Sequence, residues 1–191
     1  MSSADPLIPR SMHGRRKLLA AAERFAAMQL IALDIDGTLT DGQVVYLVEG
    51  DAQRYCVQDG QGLVWLRRLA GMKQAWISGR AGSPARRRAK ELGVDCLRLG
   101  VGPKEQVLQA VQEELGIPPE RTISMGDDLP DLGLARRSGL FIAPRNARAD
   151  VRQRADFVTR SRGGAGAVRE VCEWILHAKG IWPRLLEEQA G

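Results

Sequence analysis

The chain has 191 residues, 44% of them hydrophobic, which suits one domain with a sizeable core and excludes a disordered chain. Its formal net charge is +5 and its pI about 9.5, a balance that can point to an acidic partner. The arginines, however, lie in short runs along the chain (Arg15-Arg16, Arg67-Arg68, Arg86-Arg87-Arg88, Arg136-Arg137), and aromatic residues are only 5%, so no nucleic-acid partner is expected.

Residues 1–27 read as an N-terminal extension, loose to about residue 13 and then helical from Arg15 to Ala27. The apolar stretch Leu18 to Ala22 follows Arg15-Arg16-Lys17 as in a signal peptide, but Glu23 and Arg24 cut it short. No apolar run is long enough to span a bilayer, so no membrane partner is expected. Cys56, Cys96 and Cys172 form no CxxC pair, and a reducing cytoplasm fits them.

Leu30 to Leu33 is a short apolar run with the pattern of a strand buried on both faces, and it ends in Asp34-Ile35-Asp36-Gly37-Thr38-Leu39-Thr40-Asp41-Gly42. Alternation along the strand would point Asp34 and Asp36 the same way. Residues 43–57 predict a β-hairpin flap: a strand over Gln43 to Val48, a turn at Glu49-Gly50-Asp51, and a return strand over Ala52 to Val57. Asp59-Gly60-Gln61-Gly62 reads as a turn into a helix over Leu63 to Leu69.

Further strands are expected at Gln74 to Ile77, Val94 to Leu97, Thr122 to Met125, Gly139 to Ala143 and Phe157 to Thr159. Helices are expected at Pro84 to Leu92, Lys104 to Leu115, Leu129 to Arg137, Ala147 to Ala155 and Ala167 to about Ala178. Pro183 should stop further helix, leaving 181–191 as a tail. Strands alternating with helices predict an α/β fold with a central parallel sheet flanked by helices, and residues 28–180 read as one domain.

Four polar clusters each follow a predicted strand: Asp34 with Asp36, Ser78-Gly79-Arg80, the segment ending in Lys104, and Asp127 with Asp128. In a parallel sheet these strand ends share one edge. Each cluster alone is explained by a turn or a cap; the four together in this order are not. The combination suits a phosphate monoester. Such a dianion repels an attacking carboxylate, and a hard divalent cation on oxygen ligands offsets the repulsion.

The order of these clusters resembles the haloacid dehalogenase superfamily of phosphoryl-transfer enzymes: DxDGTLT at Asp34, Ser78-Gly79-Arg80, Lys104, and Gly126-Asp127-Asp128-Leu129-Pro130-Asp131. The resemblance implies a Rossmann-like fold with Asp34 as nucleophile and Asp36 as general acid. Mg²⁺ would be held by Asp34, Asp127 and the backbone carbonyl of Asp36. Ser78 and the Gly79 amide would hold the phosphoryl group, and Lys104 would neutralise its charge. Asp131 would support the site from behind, while Asp128 either binds the metal through water or orients Lys104.

Only a hairpin and one helix separate the first two motifs, so there is no cap domain. Together with Val57 to Gly62, the Ala155-to-Thr159 segment and the Gly163-to-Val171 stretch, the motifs resemble the capless 3-deoxy-D-manno-octulosonate 8-phosphate phosphatases over roughly residues 28 to 180. That family implies a small sugar-phosphate substrate contacted near Asp59, Gly60 and Arg80. It also implies a homotetramer joined through the hairpin flap, with a tail able to cover a neighbour's site. A monomer with an open site would instead favour a macromolecular substrate. Two positions depart from the family pattern: Gln58 and Ala165 stand where arginines are usual, removing cations that suit a sugar acid. Arg80, Arg160, Arg162 and Arg169 are candidates to replace them.

Overall fold

The computed structural model describes residues 21–48 and 50–190, so most of the N-terminal extension and Glu49 lie outside the described residues. Residues 21–27 are helical (α1), and Phe25 of this helix is buried. Strand β1 (Leu30–Leu33) is buried on both faces. Leu30 and Ala32 pack into one hydrophobic layer, and Ile31 and Leu33 into the other. The helix-free hairpin follows as β2 (Val45–Tyr46) and β3 (Asp51–Ala52). The chain continues through α2 (Val57–Ala70), β4 (Lys73–Ser78), α3 (Ser83–Leu92), β5 (Cys96–Leu99) and α4 (Lys104–Leu115). Then come β6 (Thr122–Met125), α5 (Leu132–Ala135), β7 (Leu140–Ala143), α6 (Ala149–Arg154), β8 (Phe157–Val158), α7 (Ala167–Ala178) and α8 (Trp182–Ala190).

Six strands form one parallel sheet in the order β5-β4-β1-β6-β7-β8. A parallel sheet needs cover on both faces. Helices α1, α2, α3, α7 and α8 supply one layer, around Leu63, Leu66, Val171 and Ile175. Helices α4, α5 and α6 supply the other, around Leu108, Val111, Leu134 and Val151. The chain leaves β1 for β4 and β5 on one side, then returns to place β6 on the other. That reversal opens a crevice at the carboxyl end of β1, where such sheets bind ligands.

Strands β1 and β6 and helices α4 and α7 match their predicted spans. Others differ. Helix α2 begins at Val57, so Asp59 to Gly62 is its first turns and not a separate turn. Its two glycines serve close packing: Gly60 lies beneath the Arg88 guanidinium and Gly62 against Cys172 of α7. Strand β5 starts two residues late, because Asp95 turns its carboxylate back to the Gln74 amide and to Lys73. Residues 129–137 split into a tight turn over Leu129–Asp131 and the short α5. Pro183 does not end the helical structure: it sits in the first turn of α8, where a missing N–H costs nothing. Leu185 is buried and Trp182 packs edge-on against Trp65, which ties α8 to its own chain.

The hairpin is shorter than predicted. Among the described residues the paired register is Val45↔Ala52 and Tyr46↔Asp51, because a two-stranded ribbon has no second layer to cover its apolar face. Val45, Tyr46, Leu47 and Val48 are all exposed.

Candidate active site

The chain leaves the sheet after Leu33, and the Asp34 amide still donates to the Met125 carbonyl of β6 at 3.0 Å. The next five residues make one irregular turn, closed by Thr40 N–H donating to the Ile35 carbonyl at 3.0 Å. Gly37 has φ +111°, and a Cβ there would lie 2.2 Å from Asp127 Oδ2, so glycine is what lets Asp127 approach the loop. Thr38 Oγ1 donates to Asp127 Oδ1 at 3.4 Å, and the Thr40 hydroxyl accepts from the Gly37 amide at 3.3 Å.

A glycine stretch backs this loop. The Gly164 amide donates to Thr38 O at 3.0 Å, and a Cβ on Gly163 would lie 1.8 Å from Gly37 O. Asn146 holds Gly163 by accepting its amide at 2.7 Å.

Asp34 is 4% exposed. Its Oδ1 accepts from Lys104 Nζ at 2.5 Å, whereas Oδ2 is buried with no donor. Lys104, the first residue of α4, also donates to Asp131 Oδ1 at 2.6 Å. The other oxygen of Asp131 accepts the amides of Asp127 and Asp128 at 2.9 and 3.1 Å. Asp34, Asp127 and Asp131 each present an oxygen within 4.8 Å of the others.

Two of these three carboxylates, Asp34 and Asp131, bond the one ammonium. Burial pushes the Asp34 carboxyl well above the ordinary value, and Asp131 and Asp127 push it further, against the pull of Lys104. Burial and then Asp131 lift Asp127 to about 6. Burial works against the Lys104 charge, but Asp34 and Asp131 outweigh it and hold that group above its usual value. The cluster has a deficit of positive charge that a hard cation would fill. Asp131 has both oxygens engaged, so Asp34 and Asp127 are the side chains left to hold it.

Asp36 faces a second set of partners. Its Oδ2 accepts from Ser78 Oγ at 2.9 Å and its Oδ1 from Gln53 Nε2 at 2.7 Å. The strand-alternation argument therefore does not describe the pair, since the strand ends before either carboxylate. Ser78 is buried at the end of β4 and its Oγ accepts the Arg80 amide at 3.0 Å. Gly79 is exposed beside it, and Arg80 Nη1 lies 3.5 Å from Asp36 Oδ1.

Asp34, Asp36, Ser78, Gly79, Arg80, Lys104, Asp127 and Asp131 therefore gather at the ends of β1, β4 and β6. The remaining expected residues go elsewhere. Asp128 is exposed and accepts the Leu129 amide at 2.8 Å, so Asp131 is the residue that orients Lys104. Asp59, expected among the substrate contacts, is 1% exposed and accepts the amides of Arg169 and Gly166 at 2.7 and 3.3 Å. It caps the start of α7, and Gly60 is buried beside it. Among the candidate replacement cations, Arg169 lies 4.2 Å from the Trp65 ring and 2.6 Å from Glu173.

Sequence reasoning missed Thr38, Thr40, Gln53 and Asn146. The two threonines lie within the DGTLT string and had a signal there; Gln53 and Asn146 had none.

Comparison with known proteins agrees with this geometry. A family model described as haloacid dehalogenase-like hydrolase matches residues 94–171. The 3-deoxy-D-manno-octulosonate 8-phosphate phosphatase of Escherichia coli K12 is 35% identical over 164 residues, 85% of each chain. The enzyme of that name from Haemophilus influenzae is 34% identical over 159 residues, 83% of this chain and 88% of that one. A crystal structure of the Moraxella catarrhalis phosphatase, in complex with magnesium, phosphate and KDO, superposes with a TM-score of 0.85 at 38% identity. It covers 88% of this chain and 97% of that one.

Proposed function

This chain belongs to the 3-deoxy-D-manno-octulosonate 8-phosphate phosphatase family of haloacid dehalogenase-like hydrolases, and from that premise we propose that it removes the phosphate from a small sugar-acid phosphate, most simply octulosonate 8-phosphate. It is a phosphoric monoester hydrolase that uses Mg²⁺. The observation that carries the reading is Asp34, buried with one oxygen on Lys104, the other without a donor, and Asp127 beside it.

Asp34 attacks phosphorus and forms an aspartyl-phosphate as the bond to the sugar oxygen breaks. Asp36 gives that oxygen its proton, then takes a proton from the water that hydrolyses the intermediate. Orthophosphate leaves and Asp34 is regenerated. Ser78 Oγ and the Gly79 amide hold phosphoryl oxygens, and Lys104 stabilises the charge that builds on them. Asp34, Asp127 and the Asp36 carbonyl would hold Mg²⁺, which would supply positive charge against the repulsion between the nucleophile and the phosphate dianion.

Assembly as a homotetramer through the exposed hairpin completes the reading, since a lone edge of this kind is a pairing liability. Three free cysteines support residence in a reducing cytoplasm, and no described helix is long and apolar enough to cross a membrane.

Incubation with octulosonate 8-phosphate and Mg²⁺ should release phosphate, and silence across a broad panel of sugar phosphates would sink the proposal. Gln58 and Ala165 favour including a nine-carbon sugar-acid phosphate in that panel. The engagement of Arg169 by Trp65 and Glu173 weighs against its replacing the missing charge.

A further inference from the structure

The return arm of the hairpin reaches back to the site at three points. Asp51 Oδ2 lies 3.7 Å from Arg80 Nη2, Arg54 Nη2 donates to Asp41 Oδ2 at 2.8 Å, and Gln53 Nε2 donates to Asp36 Oδ1 at 2.7 Å. The third contact has a support of its own. Tyr55 donates its hydroxyl to Gln53 Oε1 at 2.8 Å. The Tyr55 ring stacks on Trp76, with centroids 6.3 Å apart and planes 12° apart, and Trp76 is fully buried in β4. A continuous path of contacts therefore runs from the core to the carboxylate of Asp36.

Each link has one favourable orientation. A primary amide can turn either end toward a neighbour. Turned the other way, Gln53 would set its carbonyl oxygen against a carboxylate oxygen. Burial and the nearby Asp36 charge push the Tyr55 hydroxyl upward, so it keeps its proton and remains a donor to Oε1. The NH₂ end is thereby held toward Asp36.

We propose that Gln53, braced by Tyr55, is a positioning residue that decides which oxygen of Asp36 transfers the proton. The inference rests on the phosphatase reading above. Oδ1 is fixed by the Gln53 amide. Oδ2 accepts from Ser78 Oγ, whose hydroxyl can rotate to a phosphoryl oxygen when substrate binds. That rotation frees Oδ2 to carry the proton. In the first step the proton passes from Oδ2 to the sugar oxygen as its bond to phosphorus breaks, leaving Asp36 as a carboxylate. In the second step Oδ2 takes a proton from water as the water oxygen bonds to phosphorus and the aspartyl bond breaks.

The test compares two leaving groups in single turnover with Mg²⁺. A sugar phosphate leaves as an alkoxide and needs the proton; p-nitrophenyl phosphate leaves as a stable phenolate and hardly does. Gln53→Ala should slow sugar release by about tenfold or more, a part of what general acid catalysis supplies, with KM little changed and phenolate release nearly as fast as in the unaltered chain. Gln53→Glu, which keeps the shape and removes the donor, should give the same split. Tyr55→Phe, which removes only a hydroxyl, should give it in weaker form and serves if the Gln53 variants fold poorly. Equal losses on both substrates, or no loss on the sugar phosphate, would overturn the inference while leaving the phosphatase reading intact. No turnover of either substrate by the unaltered chain would overturn both.

Discussion

The acid cluster and the hairpin lie a few residues apart in sequence and are built in opposite ways. Asp34, Lys104 and Asp131 are each at least nine-tenths buried and tied together by short bonds. Val45 to Val48 are exposed on strands of two residues each. The acids and Lys104 of the cluster come from one chain, held by the ends of strands and helices that the core already fixes. The hairpin has no core of its own, so its order depends on its few bonds to the site and on whatever covers it.

The sharpest way to break this contrast is Asp34→Asn, which should lower phosphate release by about 10³-fold or more, as loss of a nucleophile does. A variant retaining near-normal release in a discontinuous phosphate assay would remove the cluster from the chemistry. Next comes Lys104→Met, which leaves Asp34 and Asp131 buried without their counter-charge. Loss of one partner of such a group costs about 3–5 kcal/mol, so denaturant unfolding should detect it even where activity is not measured.

A third effect is pH-dependent. Asp127 has its folded value lifted to about 6, so between the unfolded carboxylate value and 6 the folded chain binds more protons than the unfolded one. Without metal, stability should therefore fall as pH rises through about 4 to 6 and then level off. Mg²⁺ should flatten that decline, because a cation among the carboxylates favours their charged forms. A thermal melt series in chelator and in Mg²⁺ measures both, and a rise in chelator across that range would contradict the crowding.

The smallest stability effect belongs to the hairpin. Tyr46→Asp should change the stability of the single chain by no more than about 0.5 kcal/mol, since Tyr46 is 81% exposed. It should nevertheless lower the mass seen by light scattering, if copies meet there. An unchanged mass would remove the hairpin from assembly.

Much of the fold was legible in the sequence. The apolar runs of β1 and β6 and the amphipathic repeats of α4 and α7 have local causes, and their boundaries came out as read. The first turns of α2 were misread because glycine-rich sequence signals a turn locally. Gly60 and Gly62 are instead small so that Arg88 and α7 can come close, and those neighbours are far away in sequence. Pro183 was misread for a similar reason: the rule against proline in a helix does not apply in its first turn.

In the site, residue type and order pointed to Asp34, Asp36, Ser78, Lys104 and Asp127, and the structure brings these side chains to one sheet edge. The division of labour between them did not. Whether Asp128 or Asp131 orients Lys104 depends on which carboxylate the turn after β6 directs inward. Asp59 looked like a substrate contact by its motif, yet its oxygens are spent on the amides of α7.

By itself the sequence determined the strand–helix alternation, the convergence of acids at one sheet edge and the kind of chemistry they suit. These depend on local periodicity and on the few residue types that phosphoryl transfer can use. Only the tertiary structure decided that Asp131 anchors Lys104, that Asp34 keeps one oxygen without a donor, and that Gln53 grips Asp36. Such pairings are made by side chains from separate elements, and their distances are set by packing that no local pattern records.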